Sequence, residues 1–198
     1  TTGLPKERYQ FHFQSNQFMD KDDRTINLVD YLNGPMAELK DYFKPEFARG
    51  LTSSGAGNSL HIDNFESGAV GKFVGLYGLD ELFESLPDDL EDIAIQNNGR
   101  QQINLDIPST ISRFKNLKTL NLKTCVKSIP ESICQLNELQ FVGLLDNPNL
   151  KTIPACIADL PNIVLLNLRG NQNLTVPETV TEKGRLVGND LYTFAEAL

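Results

Sequence analysis

Few side chains in this sequence are of types and spacings that carry chemistry. Asp20, Asp22 and Asp23 suggest a calcium-binding loop, because carboxylates at alternate positions are typical calcium ligands. An EF-hand loop starting at Asp20 also requires Gly at its sixth position and Glu at its twelfth, where this chain has Thr25 and Tyr31. We therefore predict no calcium site in this segment.

A second short motif also lacks residues that its function requires. The dipeptide Gly71-Lys72 resembles the end of a phosphate-binding loop. Phe73 stands where that loop needs Ser or Thr for magnesium, and Glu66 stands where it needs its first Gly. We predict no nucleotide site, no cofactor, no catalytic residue and no enzymatic activity.

The cysteines and histidines argue against a metal site. Cys125, Cys134 and Cys156 form no Cys-x-x-Cys pair, and only His12 and His61 could complete a ligand set. We expect reduced thiols, no bound metal and a structural role for both histidines. The first 20 residues lack the apolar stretch of a secretion signal, so we expect the cytoplasm or another reducing compartment.

Charge restricts the class of partner. The net charge is −8, and a run of acidic residues with no base carries much of it. Its members are Asp80, Glu81, Glu84, Asp88, Asp89, Glu91 and Asp92. We predict that neither nucleic acid nor an anionic membrane is the main partner. A solvated face is favoured over a dedicated site for a basic partner.

The elements that must position any binding residues are set by a repeat. Proline recurs at Pro87, Pro108, Pro130, Pro154 and Pro177, at intervals of 21, 22, 24 and 23 residues. Each proline follows an aliphatic residue and precedes another by three positions, as Ile129 and Ile133 flank Pro130. Such regularity over five copies indicates a stacked repeat array.

The clearest copy contains Leu117, Leu120, Leu122, Cys125, Ile129-Pro130 and Ile133. This order matches L-x-x-L-x-L-x-x-N/C-x-L with a period of 20 to 29 residues, so the chain resembles the leucine-rich repeat family from Val74 onward. The resemblance implies an α/β solenoid, with a short parallel sheet on its concave side and short helical or 3₁₀ turns on its convex side. Leu-x-Leu would direct two side chains of each strand into one core.

The resemblance also implies a ladder of side chains that bond the turn after each strand. The N/C position holds Leu82, Asn98, Cys125, Asn147 and Asn171. Asn suits this role because its amide both donates and accepts. Leu82 departs from the pattern, and the copy containing Asn98 lacks a convex turn and has extra residues after it.

The chain is predicted to divide into three parts. Residues 1–72 form a non-repeat segment, either a cap or a docking region. Residues 73–187 form an array of about five repeats, and residues 188–198 form a C-terminal cap helix.

The side chains that alternate with the core residues form a grid on the predicted concave surface. Its first column is Leu76, Asp92, Thr119, Phe141 and Leu165. Its second column is Gly78, Ala94, Asn121, Gly143 and Asn167. Its third column is Asp80, Gln96, Lys123, Leu145 and Arg169. Apolar members on adjacent copies indicate an interface.

We predict that a protein partner binds this surface. The expected contact residues are Phe141, Leu145, Leu165, Lys123, Arg169, Asn121 and Asn167. The alternative for the apolar members is burial under another segment of the same chain. The alternative function is a structural component of a larger assembly, such as a virion or shell protein docked through residues 1–72.

Overall fold

The computed structural model describes residues 10–12, 17–19, 22, 24–44, 58–63, 65, 69–99 and 103–194. The strands within these residues are β1 (Gln10–His12), β2 (Gln17–Met19), β3 (Ser59–Ile62), β4 (Asp92–Gln96), β5 (Leu105–Asp106), β6 (Thr119–Lys123), β7 (Val126–Ser128), β8 (Phe141–Leu145), β9 (Leu165–Asn167), β10 (Arg185–Gly188) and β11 (Leu191–Thr193). The helices are α1 (Leu28–Asn33), α2 (Ala69–Ser85) and α3 (Glu178–Lys183). Turns of 3₁₀ helix span Ala37–Leu39, Ser109–Arg113, Glu131–Gln135 and Ala155–Asp159.

One seven-stranded sheet organises the described residues, in the order β10-β11-β9-β8-β6-β4-β3. The strands from β3 to β9 are parallel, whereas β11 and β10 are antiparallel to their neighbours. Equivalent residues of successive repeats stand opposite each other: Leu120 pairs with Ile93 on one side and Val142 on the other. Each repeat therefore adds one strand in register with the last.

Each of the parallel strands β3, β4, β6, β8 and β9 contributes a pair of side chains to a continuous core, and the second residue of the last pair directly follows β9. The buried pairs are Leu60 and Ile62, Ile93 and Ile95, Leu120 and Leu122, Val142 and Leu144, and Leu166 and Leu168. The alternation follows from the two-residue period of a strand. One strand cannot cover these residues alone, so the repeats stabilise each other by stacking.

The opposite side of the solenoid is built from 3₁₀ turns that begin after the repeated prolines, as the sequence predicts. Pro108, Pro130 and Pro154 each precede such a turn, and Pro177 precedes α3. Proline suits these starts because backbone N–H groups in the first turn have no acceptor within the helix, so the N–H that proline lacks costs no hydrogen bond. One aliphatic side chain of each turn is buried: Ile111, Ile133, Ile157 or Val180. The leucine-rich solenoid expected from the repeat is confirmed.

The first copy of the predicted array differs from this plan. Residues Leu76, Gly78 and Asp80, expected on a strand, lie in α2, and the sheet instead begins with β3. The apolar residues of this segment recur every three or four positions, so that Phe73, Leu76, Leu79, Leu82 and Phe83 are all buried along α2, whose two helical parts meet in a kink at Gly78. Leu82 is therefore a core residue and not a ladder position.

The C-terminal cap also differs from the prediction. Arg185–Gly188 and Leu191–Thr193 form an antiparallel hairpin, not part of a helix over 188–198. Asp190 adopts a positive φ of 57° in the connecting turn, a conformation that ends a helix and suits a hairpin. Tyr192 pairs with Leu166 and is buried, so the hairpin covers the last core layer. Residues 195–198 lie outside the described part of the chain.

The N-terminal segment contributes to the same core. Asn27 caps α1 by accepting hydrogen bonds from the backbone N–H groups of Val29 and Asp30 at 3.0 and 3.4 Å. Leu28 and Leu32 are fully buried. The side-chain amide of Asn33 donates to the carbonyl oxygen of Gly75 at 3.1 Å, which joins α1 to α2.

Candidate partner-binding surface

A ladder of polar side chains fixes the turn at the end of each strand. The side-chain oxygen of Asn147 accepts hydrogen bonds from the backbone N–H groups of Cys125 and Val126, at 3.0 and 2.9 Å. Its amide donates to the carbonyl oxygens of Leu122 and Leu145, both at 3.0 Å. Asn147 is fully buried and uses both ends of its amide. It holds one repeat to the preceding one.

The same arrangement recurs one repeat later. The side-chain oxygen of Asn171 accepts from the backbone N–H of Asn147 at 2.8 Å, and its amide donates to the carbonyl oxygens of Leu144 and Leu168. Cys125 fills the equivalent place in its own repeat, where its thiol donates to the carbonyl oxygen of Ile95 at 3.4 Å. Burial raises the pKa of the Cys125 thiol to about 12.

Asn98 does not lie in this ladder. Its side chain is exposed, whereas that of Asn97 is buried. The side-chain oxygen of Asn97 accepts a hydrogen bond from the backbone N–H of Gly99 at 3.1 Å, which forms a local turn two residues long. This turn displaces the polar side chain by one position from where the repeat spacing predicts it.

The outward-facing residues of the strands line up in rows across the sheet. The first row runs from Ser59 through Asp92, Thr119, Phe141 and Leu165 to Thr193. The second row runs from His61 through Ala94, Asn121, Gly143 and Asn167 to Leu191. The third row contains Gln96, Lys123 and Leu145. We call these three rows the strand surface.

The structure brings the predicted apolar residues together on this surface. Phe141 pairs directly with Leu165 in the register, and its side chain is 40% exposed. Leu165 and Leu145 are half-buried, since their neighbours cover part of each. Lys123 pairs with Leu145 and is exposed. An apolar patch with a base at its side therefore faces outward from β6, β8 and β9.

The predicted middle-row residues are also placed on the strand surface. Asn121 is exposed, and its side-chain oxygen lies only 2.3 Å from where a Cβ atom would stand on Gly143. Gly143 is thus the residue that lets the Asn121 side chain lie across β8. The side-chain oxygen of Asn167 accepts from the backbone N–H of Arg169 at 3.2 Å.

Arg169 follows β9 and is held by the C-terminal hairpin. Its Nε donates to the backbone carbonyl oxygen of Asn189 at 3.3 Å, and its side chain is exposed. The hairpin also adds Thr193 and Leu191 to the strand surface, beside Leu165 and Asn167. The sequence reasoning missed both residues because it assigned a helix there.

The N-terminal end of the strand surface is polar. Gln96 donates from its side-chain amide to the carboxylate of Asp63 at 2.6 Å, and Ser59 donates to Asp92 at 3.4 Å. His61 is exposed in the second row. The alternation of polar Ser59 and His61 with apolar Leu60 and Ile62 was the signal that a strand begins here.

Partners within the chain balance much of the acidic run. Glu91 forms an ion pair with Lys118 at 2.7 Å, and Glu81 pairs with Lys44 at 2.5 Å. Asp88 pairs with Arg113. Hydrogen bonding to Glu91 raises the pKa of Lys118 above its ordinary value. These contacts fit the interpretation of the run as a solvated structural face.

The cysteines differ from the expected set of reduced thiols. Cys134 and Cys156 are joined by a disulfide between consecutive convex turns, with Cα atoms 5.8 Å apart, whereas Cys125 is free and buried. The spacing of 22 residues brings these two positions together because it equals about one repeat. Glu131 lies beside both sulfur atoms, at 3.8 Å from Cys134 and 3.6 Å from Cys156.

Comparison with known proteins finds similarity over part of the chain. No protein-family model matches the chain. The volume-regulated anion channel subunit LRRC8B of Mus musculus is 28% identical over 132 residues, which are 62% of this chain and 16% of that subunit. The chain thus spans less than a fifth of that relative's length. No helix in the described part of the chain is both long enough and apolar enough to cross a membrane.

Two solved structures align with part of the chain. A chain of the BIR3–SERK2 complex from Arabidopsis thaliana is 28% identical, with a TM-score of 0.43 over 56% of this chain and 57% of that one. A leucine-rich repeat protein of Leptospira interrogans is 22% identical, with a TM-score of 0.35 over 57% of this chain and 36% of that one.

Proposed function

We propose that this chain, whose solenoid resembles those of leucine-rich repeat proteins, is a non-enzymatic module that binds a protein partner through the strand surface, centred on Phe141. The observation that carries the proposal is the pairing of Phe141, which is 40% exposed, with half-buried Leu165 on the neighbouring strand, so that two large apolar side chains lie side by side on the strand surface. Large aromatic side chains exposed beside other apolar groups are typical anchors of protein interfaces.

The chemistry around Phe141 indicates what the partner presents. Leu165 on β9 and Leu145 at the end of β8 extend the apolar area, so an aliphatic or aromatic side chain of the partner would pack there. Lys123 and Arg169 are exposed at the end of the strands, and both are basic. We infer that the partner carries acidic groups next to its apolar anchor.

The polar residues of the surface supply hydrogen bonds at its centre. Asn121 and Asn167 have amides that donate and accept, and Gly143 between them leaves the backbone of β8 without a side chain. The Asn121 side chain lies over Gly143, so a partner contacts this amide there before it reaches the backbone of β8. We infer that the bound segment lies across the strands over Gly143, with its apolar anchor at Phe141.

The experiment uses photo-cross-linking on the full chain. A photoreactive amino acid is placed at Phe141 in one sample and at Leu186 in a control, because Leu186 is 58% exposed but lies on β10 away from the patch. The proposal expects one protein to cross-link from position 141 and not from position 186. A third sample of the parent chain is treated with a lysine-reactive cross-linker, and links from Lys40 to many copies of one abundant protein would instead favour the assembly component.

Affinity for the captured partner is then measured with Phe141→Asp and the matched control Leu186→Asp. Loss of a central aromatic anchor commonly costs about 2 kcal/mol or more of binding free energy, which is roughly thirtyfold in Kd. The control should bind like the parent protein. Both variants should keep the parent melting temperature, since both side chains are exposed. Equal binding by Phe141→Asp and the parent would reject the proposal.

A further inference from the structure

A group of metal-ligating side chains lies on the opposite side of the solenoid from the strand surface. Glu131, Cys134 and Cys156 place one carboxylate oxygen and two sulfur atoms within 4.8 Å of one another. Glu131 is exposed and both cysteines are half-buried, so the group is open to solvent. We propose that these three residues, when the cysteines are reduced, form a binding site for a zinc ion.

Two rigid turns position the three ligands. Glu131 and Cys134 belong to the 3₁₀ turn Glu131–Gln135, and Cys156 belongs to the next one, Ala155–Asp159. Each turn is anchored by a fully buried isoleucine, Ile133 or Ile157, whose side chain points into the core. The backbone atoms of the site are therefore fixed before any ion binds, which lowers the entropic cost of binding.

The carboxylate–sulfur distances agree with tetrahedral zinc coordination, whereas the two sulfurs must separate after reduction. Zinc lies about 2.3 Å from sulfur and about 2.1 Å from carboxylate oxygen, so a tetrahedral ion separates sulfur from oxygen by about 3.6 Å. The Glu131 oxygen lies 3.6 Å from the sulfur of Cys156 and 3.8 Å from that of Cys134. Two thiolates on one zinc ion are about 3.8 Å apart. Rotating the side chains about their Cα–Cβ bonds can open the sulfurs to this distance once the disulfide is reduced.

The charge of the group also suits a cation. The sulfurs of a disulfide carry no hydrogen, so neither can donate to the Glu131 carboxylate that faces them. Among the ion pairs between described residues, none involves Glu131. Two thiolates and one carboxylate would supply three negative charges to a divalent ion. Borderline-soft Zn²⁺ binds this mixture of sulfur and oxygen well, whereas Ca²⁺ and Mg²⁺ prefer oxygen alone.

Oxidation and zinc binding exclude each other at this site. A small-molecule thiol reductant supplies two electrons and two protons, which break the S–S bond and leave two thiols. Zinc then displaces both thiol protons and takes water as its fourth ligand. A small-molecule disulfide as oxidant removes two electrons, reforms the S–S bond and releases the ion. The zinc-bound form thus belongs to a reducing compartment, whereas an oxidising one stabilises the cross-link.

The test titrates the full chain with Cd²⁺ as a spectroscopic stand-in for zinc, after phosphine reduction and without oxygen. Cadmium thiolates absorb in the ultraviolet, and a chelator competition then gives the zinc affinity. The expected result is one ion per reduced chain and no binding by the oxidised chain. The matched control Cys125→Ser should bind like the parent, because that buried thiol contacts the carbonyl oxygen of Ile95 and lies outside the group.

Two variants decide between the proposed site and adventitious thiol binding. Cys156→Ser should abolish the cadmium absorption, and Glu131→Gln should weaken zinc binding by about tenfold or more while both thiols remain. Circular dichroism verifies that each variant is folded. Binding that persists in Cys156→Ser, or that is unchanged in Glu131→Gln, would overturn the site, as would the absence of thiolate absorption in the reduced parent.

Discussion

The side-chain oxygen of Asn147 accepts the backbone N–H of Cys125, 22 residues earlier in the chain, at 3.0 Å. The turn after one strand is therefore completed by a side chain of the next repeat. In the same way, the side-chain oxygen of Asn171 accepts the backbone N–H of Asn147 at 2.8 Å. Neighbouring repeats share hydrogen bonds as well as apolar core, so neither interaction exists in a single repeat.

The first prediction concerns this ladder. Asn147→Ala removes an acceptor from two backbone N–H groups and a donor from two carbonyl oxygens, all near a fully buried side chain. A buried backbone group left without a partner costs about 1–3 kcal/mol, so we expect the free energy of unfolding to fall by about 3–5 kcal/mol. Denaturation in urea measures this change.

Asn137→Ala is the matched control for that variant. Asn137 is the same residue type at an exposed position of the neighbouring loop, and we expect its substitution to change the free energy of unfolding by less than about 0.5 kcal/mol. Similar losses in the two variants would show that the Asn147 hydrogen bonds do not hold the repeats together.

The second prediction concerns pH. The pKa of Cys125 is raised from an ordinary 9.0 to about 12 by burial, so above pH 9 the unfolded chain loses this proton while the folded chain keeps it. The free energy of unfolding should then fall by about 1.4 kcal/mol per pH unit between pH 9 and 12, and show no such term below pH 9.

The readout for that prediction is the difference between the parent and Cys125→Ser, because lysines and tyrosines also titrate in this range. Serine does not ionise, so the steeper slope of the parent should disappear in the variant. The disulfide between Cys134 and Cys156 is kept intact in both proteins, so that these sulfurs do not titrate. Parallel stability curves above pH 9 would mean that Cys125 is not buried as described.

The third prediction tests the close approach of Asn121 to Gly143. A Cβ atom at position 143 would lie 2.3 Å from the Asn121 side-chain oxygen, so Gly143→Ala must displace that side chain. Because Asn121 is exposed and can turn outward, we expect a loss of only about 1 kcal/mol.

The double variant makes this test sharp. In an Asn121→Ala background, the clash with Asn121 is gone, and the remaining close atom, Leu145 Cδ1 at 3.2 Å, ends a side chain that can shift. Alanine is favoured over glycine in a strand by about 0.5–1 kcal/mol. Gly143→Ala should therefore stabilise that background slightly. Urea denaturation of the four proteins gives the coupling energy, which should exceed about 1 kcal/mol. An equal effect of Gly143→Ala in both backgrounds would contradict the geometry.

The repeat spacing was enough to predict most of the solenoid. Strands β6, β8 and β9 and the turns after Pro108, Pro130 and Pro154 lie where the pattern places them. This agreement arises because both periods are local: two residues for a strand, and about three for a 3₁₀ turn. Each stacked repeat then adopts the same strand and turn as its neighbour.

The local sequence pattern did not predict the secondary structure at either end of the array. Val74 and Leu79 suit one side of a helix as well as the core positions of a repeat, and only packing against α1 and the first strands decides between them. At the other end, the hairpin depends on pairing between Tyr192 and Leu166, which are far apart in sequence. Such non-local pairing leaves no periodic signal in a short segment.

The candidate binding residues were predictable for the same reason as the strands. Alternation along β8 places Phe141 and Leu145 outward as soon as Val142 and Leu144 face the core. What alternation did not predict is how far each is covered, since the exposure of Leu165 depends on the hairpin strand next to it. The inter-repeat contact of Cys134 with Cys156 likewise depends on the stacking register, which single copies do not contain.

The last prediction tests the helix that replaces the expected first strand. Gly78 has φ 90° and ψ 168° inside α2, a conformation open almost only to glycine, and no atom lies within 4 Å of a Cβ placed there. Gly78→Ala should therefore lower the free energy of unfolding by about 1–3 kcal/mol through backbone strain alone. If residues 74–80 formed a strand, the same change would stabilise the protein by about 0.5–1 kcal/mol. The sign of the effect, measured by urea denaturation beside Gly188→Ala, whose φ is not positive, thus distinguishes a bent helix from a repeat strand.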